Sequence, residues 1–306
     1  MTLYTKITHF TGLNALRFFA AYLVVLHHAE QIRMKYGLFH LKTYSFFNNG
    51  GQAVTFFFVL SGFLISYLLL KEQHVNVTKK VSVKNFYIKR VLRIWPLYYL
   101  LVFAGLIVIP FFIQKVGYDY EMPYHFNDVI SYFIFFCPFM VNILFGHHLL
   151  EPLWSIGVEE LFYCIWAPIF KFLKKHILII LICIILLKLI ISSAIYVLAI
   201  DNIFSKVIGM LQFEAMAIGG LGAYFIFKRK KEVCESIFFS TWAQGIILIF
   251  LFLRLFFFYF LSDNTLFFRI LYKTPVLSNY LLMGAFIWLI INISLNRISF
   301  IKLNYW

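Results

Sequence analysis

The sequence predicts an all-α protein: a polytopic bundle of transmembrane helices with about eight spans and one re-entrant or interfacial segment at 129–147. Three observations predict it. Hydrophobic residues fill 62% of the 306 positions and charged residues only 13%, whereas a soluble domain is about half apolar and a quarter charged. Nine apolar segments follow one another, at 12–29, 51–70, 94–114, 129–147, 152–170, 177–200, 207–227, 238–261 and 275–294, most of them near the roughly twenty residues that cross a bilayer. The cations fall in short runs between these segments, as the cytoplasmic bias of lysine and arginine requires. The net charge of +14 therefore speaks for membrane topology and against nucleic acid. Cys137, Cys164, Cys183 and Cys234 lack motif spacing and imply neither a disulfide framework nor zinc.

The first segment, Leu13 to Ala29, carries Arg17 and His28 where apolar residues belong. Eleven residues are three helical turns, so both point to one side, ~16 Å apart along the axis. An arginine centred in lipid costs roughly 2.5–3.5 kcal/mol, which turns both groups inward as a polar stripe. A snorkelling arginine and an interfacial histidine are the plainer alternative. No A-x-A site follows, so this segment is read as retained and not as a signal peptide. In the second segment Ser61 and Gly62 are small enough for close helix packing.

A basic run, with Lys89, Arg90 and Arg93, opens the third segment. Two guanidinium forks at i and i+3 suit phosphate oxygens, although an ordinary cytoplasmic flank holds the same residues. The fourth segment contains Pro138 and Asn142 and meets the fifth through GHHLLEP. With a cytoplasmic N-terminus and a fourth segment that does not cross, seventeen lysines and arginines lie inside, seven outside and three within helices. A full crossing gives eleven inside against thirteen outside, so the re-entrant arrangement is preferred. It puts both termini in the cytoplasm of a cell (inner) membrane protein. One misfit remains in the loop 30–50, where Arg33, Lys35 and Lys42 fall on the outer side.

On the fifth segment Ser155, Glu159 and Tyr163 share a face at four-residue spacing. A carboxylate at that depth requires a partner. Glu214 on the seventh segment and Arg254 on the eighth fall in much the same layer as His28 and Glu159, which suggests a polar cavity open to the outside. Paired structural charges give the same pattern. His147, His148 and Glu151 are the nearest thing to a metal set, but adjacent histidines seldom reach one ion; no metal is expected. No repeat or linker divides the chain, so 1–306 reads as a single membrane domain.

Four stretches together carry a resemblance: LNALRFFAAYLVVLHH at 13–28, GGQAVTFFFVLSGFLI at 50–65, FYIKRVLRIWPLYYL at 86–100 and EPLWSIGVEELFYCIWAP at 151–168. A fifth, FEAMAIGGLGAYF at 213–225, continues it. In this order they resemble acyltransferase family 3, the membrane O-acyltransferases that modify glycans. The family's arginine-ten-residues-histidine motif then falls on Arg17 and His28 rather than His27. Its arginine pair falls on Arg90 and Arg93, and its Trp-Ser-x-x-x-Glu motif on Trp154, Ser155 and Glu159. Glu160 stands where the family is more permissive.

The resemblance implies an acyl-CoA donor, acetyl-CoA first, docked on the cytoplasmic side at Arg90, Arg93 and Lys89. The acceptor would be a hydroxyl of a glycan or lipid-linked sugar outside, with membrane lipids around the bundle. His28 would take the hydroxyl proton or carry the acyl group, tasks that suit an imidazole. Glu159 would orient that ring or hold the acceptor, and Arg17 would steady the thioester, the pantetheine arm or a developing oxyanion. Trp154, Ser155, Glu214 and Ser61 are supporting positions. A transporter or flippase of an anionic or lipid-linked glycan is the competing class; it predicts an inverted repeat, and none stands out. The family continues past an Asn-containing loop into one or two further helices, so the closing NRISFIKLNYW reads as that loop and the chain as short of those helices.

Overall fold

The computed structural model describes residues 10, 12–75, 81–117, 123–237, 240–264 and 274–295. The expected connecting loop at 296–306 lies outside the described residues. Those described are helical, with no strand among them. The helices are α1 (Gly12–Lys35), α2 (Gly50–Val75), α3 (Val83–Phe103), α4 (Ile109–Lys115), α5 (Phe126–Ile134) and α6 (Pro138–Phe145). After them come α7 (Trp154–Phe172), α8 (Ile177–Val197), α9 (Ile203–Met210), α10 (Phe213–Glu235), α11 (Thr241–Asn264) and α12, Pro275–Ser294.

Local chemistry sets several of these boundaries. Ser82 accepts from the Asn85 N–H and opens α3, while Asn202 and Ser205 form a reciprocal capping box on α9. Pro138 and Pro275 occupy first-turn positions of α6 and α12, where the missing N–H costs nothing. Between α3 and α4 the helix continues through a π turn at Ala104–Val108 just before Pro110, a common way of absorbing a proline.

Six helical stretches among the described residues are long and apolar enough to cross a membrane, so this is a multi-pass membrane protein. They are Gly50–Val75, Val83–Lys115, Glu151–Phe172, Ile177–Val197, Ile203–Lys228 and Val276–Ser294. Of the eight expected spans, α1 has the length, but Asn14, Arg17, two histidines and Glu30 dilute its apolar character. The apolar part of α11 is described only over Thr241–Phe257. The segment 129–147 is not one helix. It breaks between α5 and α6 at Phe136, whose φ of 54° lies in the left-handed region.

The chain forms two compact groups. The first comprises 1–75, 178–197 and 213–306, and its centre is the pairing of α2 with α10. A Cβ on Gly62 would stand 2.0 Å from the Met216 carbonyl oxygen, and one on Gly219 2.0 Å from that of Val59. The two backbones therefore touch, which only glycine permits. Ala215, Gly219 and Ala223 continue this small-residue row along α10, the two alanines wholly buried. Helix α1 packs on α2 and buries Leu13, Ala20 and Leu23, and the His27 ring fills the space a side chain on Gly50 would need.

The second group, 76–177 and 198–212, is built on α3, α5, α6 and α7. Its core joins Tyr98, Val102, Val129, Phe133, Phe136 and Leu153. The hydroxyls of Tyr98 and Tyr99 donate to the carbonyls of Phe133 and Ile134, at 2.9 and 3.0 Å. Two carbonyls at the open end of α5 are thus satisfied without helix continuation. The Phe136 ring stacks on Tyr98 at 4.4 Å.

Candidate functional site

In the first group Arg17 and His28 sit on one flank of α1, both half-buried. Eleven residues bring them to within ~20° around the axis. The Arg17 Nη1 donates to Asn14 Oδ1 at 3.0 Å. His27, rotated by ~100°, points at Gly50 instead, and its ring lies edge-on to that of His28 at 5.5 Å. Ser61 is half-buried on α2, beside the glycine that meets α10.

Glu214, buried in the first turn of α10, is answered by Lys188 of α8 at 3.5 Å. The Tyr280 hydroxyl of α12 donates to the Ile185 carbonyl one turn before that lysine. Arg254 is buried at the wall of an apolar cavity of about 130 Å³, lined also by Leu16, Ala20, Leu23, Phe56 and Phe286. The α1 residues on that cavity lie about 60° or more round the helix from Arg17 and His28. Depth can be counted along a sequence, but the rotation of each helix about its axis cannot.

In the second group the three cations of α3 separate. Lys89 and Arg93 are exposed, while Arg90 is half-buried. The Arg90 guanidinium lies over the rings of Phe86 and Tyr163, 5.4 Å from each centroid, in cation–π geometry. The Tyr163 hydroxyl in turn donates to Glu159 Oε2 at 2.7 Å. A single tyrosine of α7 thus links a cation of α3 to the motif carboxylate. Trp154 and Ser155 begin α7 half-buried, and the Ser155 hydroxyl donates to the Pro152 carbonyl at 3.4 Å. A Cβ on Gly157 would meet the Phe136 carbonyl at 2.6 Å, so the α5–α6 break rests on the motif helix itself.

Sequence reasoning gave Glu160 and Lys188 no role. Glu160 is only 9% exposed and accepts from the Trp95 indole N–H at 3.4 Å. Nothing in the sequence pairs residues sixty-five apart. Lys188 carried its own signal, a lysine amid isoleucines and leucines, since an ionisable group at that depth demands a partner.

Between α6 and α7 the two histidines part company. His147 Nδ1 and Glu151 Oε2 are 2.7 Å apart. The His148 Nδ1 instead receives the Leu150 N–H at 3.2 Å, with the Tyr124 hydroxyl at 3.3 Å, so its Nε2–H donates to Asn142 Oδ1 at 2.7 Å. The Asn142 amide then donates to the Glu151 carbonyl at 3.2 Å. Burial holds this imidazole neutral by pushing its pKa down to about 4. Among the described residues no three His, Cys, Asp or Glu side chains gather as a metal set.

A family model described as "Acyltransferase domain" matches residues 10–306. The chain is 27% identical over 175 residues to "Putative peptidoglycan O-acetyltransferase YrhL" of Bacillus subtilis (strain 168), covering 55% of this chain and 24% of that protein. It is 32% identical over 145 residues to "Peptidoglycan O-acetyltransferase OatA" of Listeria monocytogenes serovar 1/2a, covering 44% of this chain and 22% of that one. The chain therefore matches less than a quarter of the length of each of these relatives. No solved structure matches.

Proposed function

This chain belongs to the acyltransferase family, and on that premise we propose that it moves an acyl group, acetyl in the first instance, from acyl-CoA to a glycan hydroxyl. Both relatives are named for O-acetyl transfer to peptidoglycan, so a cell-wall glycan is the acceptor class proposed. The whole of 1–306 is taken as one acyltransferase domain, with the donor on the cytoplasmic side and the acceptor outside. The observation that carries this reading is the line of side chains Arg90, Tyr163 and Glu159.

Exposed Lys89 and Arg93 offer cations to the donor's phosphates, and Arg90, braced by two rings, backs them. In the reaction the acceptor oxygen adds to the thioester carbonyl carbon while its proton passes to the His28 imidazole. The carbon–sulfur bond then breaks and coenzyme A leaves, taking up that proton. Arg17, on the same flank of α1 but three turns from His28, steadies the pantetheine arm of the donor. Glu159 is the candidate acid of the second group, and its hydrogen bond from Tyr163 fixes which of its oxygens is offered. Trp154 and Ser155 support Glu159 on α7, Ser61 supports α2 within the first group, and Glu214 with Lys188 ties α10 to α8.

The test is transfer of labelled acetyl from acetyl-CoA to peptidoglycan fragments by the purified full chain. His28→Ala is expected to lower turnover per folded protein by about 10²–10⁴-fold, the usual worth of a general base, with coenzyme A binding kept. His27→Ala is expected to keep its chemistry but to lower stability, because the ring packs on Gly50. Near-normal turnover by His28→Ala at normal protein levels would overturn the mechanism.

A further inference from the structure

We infer that the segment joining α1 to α2 docks on the phosphates of anionic phospholipids at the membrane face where α1 ends. Residues 30–49 hold Arg33, Lys35, His40 and Lys42 against one carboxylate, Glu30. That carboxylate is only 5% exposed. It accepts the backbone N–H of Leu41 and, at 3.2 Å, the Nη1 of Arg33. The only negative charge of the segment is therefore turned inward to fold it.

The rest of the segment is built as well. The Leu38 N–H donates to the Arg33 carbonyl at 2.9 Å and that of Tyr44 to Leu41 at 3.0 Å. Gly37 supplies the left-handed residue of the turn, with φ 66°. At the far end the buried Asn49 amide donates to the Leu255 carbonyl at 2.8 Å, and Phe46 stacks on Phe256 at 5.1 Å. What this scaffold holds outward is cationic and apolar together. Lys35 is exposed and Lys42 half-exposed, and neither forms an ion pair among the described residues. Interleaved with them, Ile32, Tyr36, Leu38, Phe39 and Tyr44 are all more than half exposed.

A loop facing bulk water does not usually present so continuous an apolar surface. In the head-group layer the same surface is suited on both counts: the rings and aliphatic chains reach toward the acyl boundary while the ammonium groups meet phosphate. The charge arrangement of the whole chain puts this loop on the outer side, where lysine and arginine are normally avoided. Cations kept there, with their acid withdrawn, fit a fixed anionic partner. The inference stands apart from the acyl-transfer reading and does not depend on catalysis.

The test uses the full chain in nanodiscs of equal phosphatidylglycerol and phosphatidylcholine, with benzoylphenylalanine in place of Phe39 as a photo-crosslinker and mass spectrometry of the lipid adducts. Near a charged surface each lysine is worth about fivefold, so phosphatidylglycerol adducts are expected to exceed phosphatidylcholine adducts at least ~10-fold. Lys35→Gln/Lys42→Gln is expected to bring the ratio to within about twofold of parity. Lys42→Gln alone, expected to lower it about fivefold, serves if the double variant does not accumulate. Millimolar pyrophosphate is expected to leave the ratio unchanged. Equal labelling of both lipids by the unsubstituted loop, an unaltered ratio in the lysine variants, absence of lipid adducts, or displacement by pyrophosphate would each overturn the inference.

Discussion

Tyr163 sits between two side chains whose proposed tasks differ, and substitution can separate its two contacts. Phenylalanine keeps the ring under Arg90 but removes the hydroxyl that holds Glu159. Tyr163→Phe is therefore expected to lower turnover roughly ten- to a hundred-fold, as misplacement of a reacting partner by about 1 Å does, with the KM for acyl-CoA little changed. Tyr163→Leu is expected to raise that KM as well. Steady-state kinetics on the two variants checks the split. His148 offers a pH test. Its folded pKa of about 4 lies below the ordinary histidine value of about 6.5. As pH falls from ~6.5 toward 4 the unfolded chain takes up a proton that the folded chain refuses, so stability falls across that window. The loss is about 2 kcal/mol once water screening of a half-exposed ring is allowed for. Thermal unfolding between pH 7 and 4 is expected to show it, and His148→Asn to flatten it. The Glu159–Tyr163 face was legible in the sequence because four-residue spacing is a local rule. The bond from Trp95 to Glu160 was not, because it depends on how α3 and α7 are rotated.

At the scale of elements, the α2–α10 contact makes the sharpest demand. Gly62→Ala would place a methyl 2.0 Å from a carbonyl oxygen, so the helices must part. A loss of about 1–3 kcal/mol is expected, seen as a lowered Tm in detergent. Gly51→Ala, with open space around its Cβ position, is the control expected to stay near wild type. The small residues of both helices could be read in the sequence, but not which carbonyls they would face. For 129–147 a re-entrant or interfacial segment was foreseen from charge balance, with Pro138 marking it as irregular. Its breaking point was not, for Phe136 is a bulky residue held in the left-handed region by aromatic stacking rather than by the glycine such a conformation favours.

Across the whole molecule, the helical membrane class could be read because insertion acts on long segments, each averaging over some twenty side chains. The division into two compact groups could not, since helix–helix pairing depends on facing side chains that composition does not specify. The same averaging makes topology testable. In a cysteine-free background, Lys174→Cys is expected to react with membrane-impermeant maleimide only after the cytoplasmic side is opened. Lys42→Cys is expected to react from outside in intact cells. Reaction of Lys174→Cys from the outer side would restore a full crossing at 129–147.

The Lys188–Glu214 pair has a consequence in time. A ribosome delivers α8 before α10, so the lysine reaches the bilayer while its acid is still unsynthesised. A central lysine costs roughly 2.5–3.5 kcal/mol, but the fourteen isoleucines and leucines of α8 contribute roughly 0.3–0.6 kcal/mol each. Helix α8 can thus enter alone and wait. Helix α10, which opens with an acid and is thinned by three glycines, enters later and finds a cation already in place. Lys188 in this way assists a helix other than its own, and the chain is assembled in an order its charges help to set.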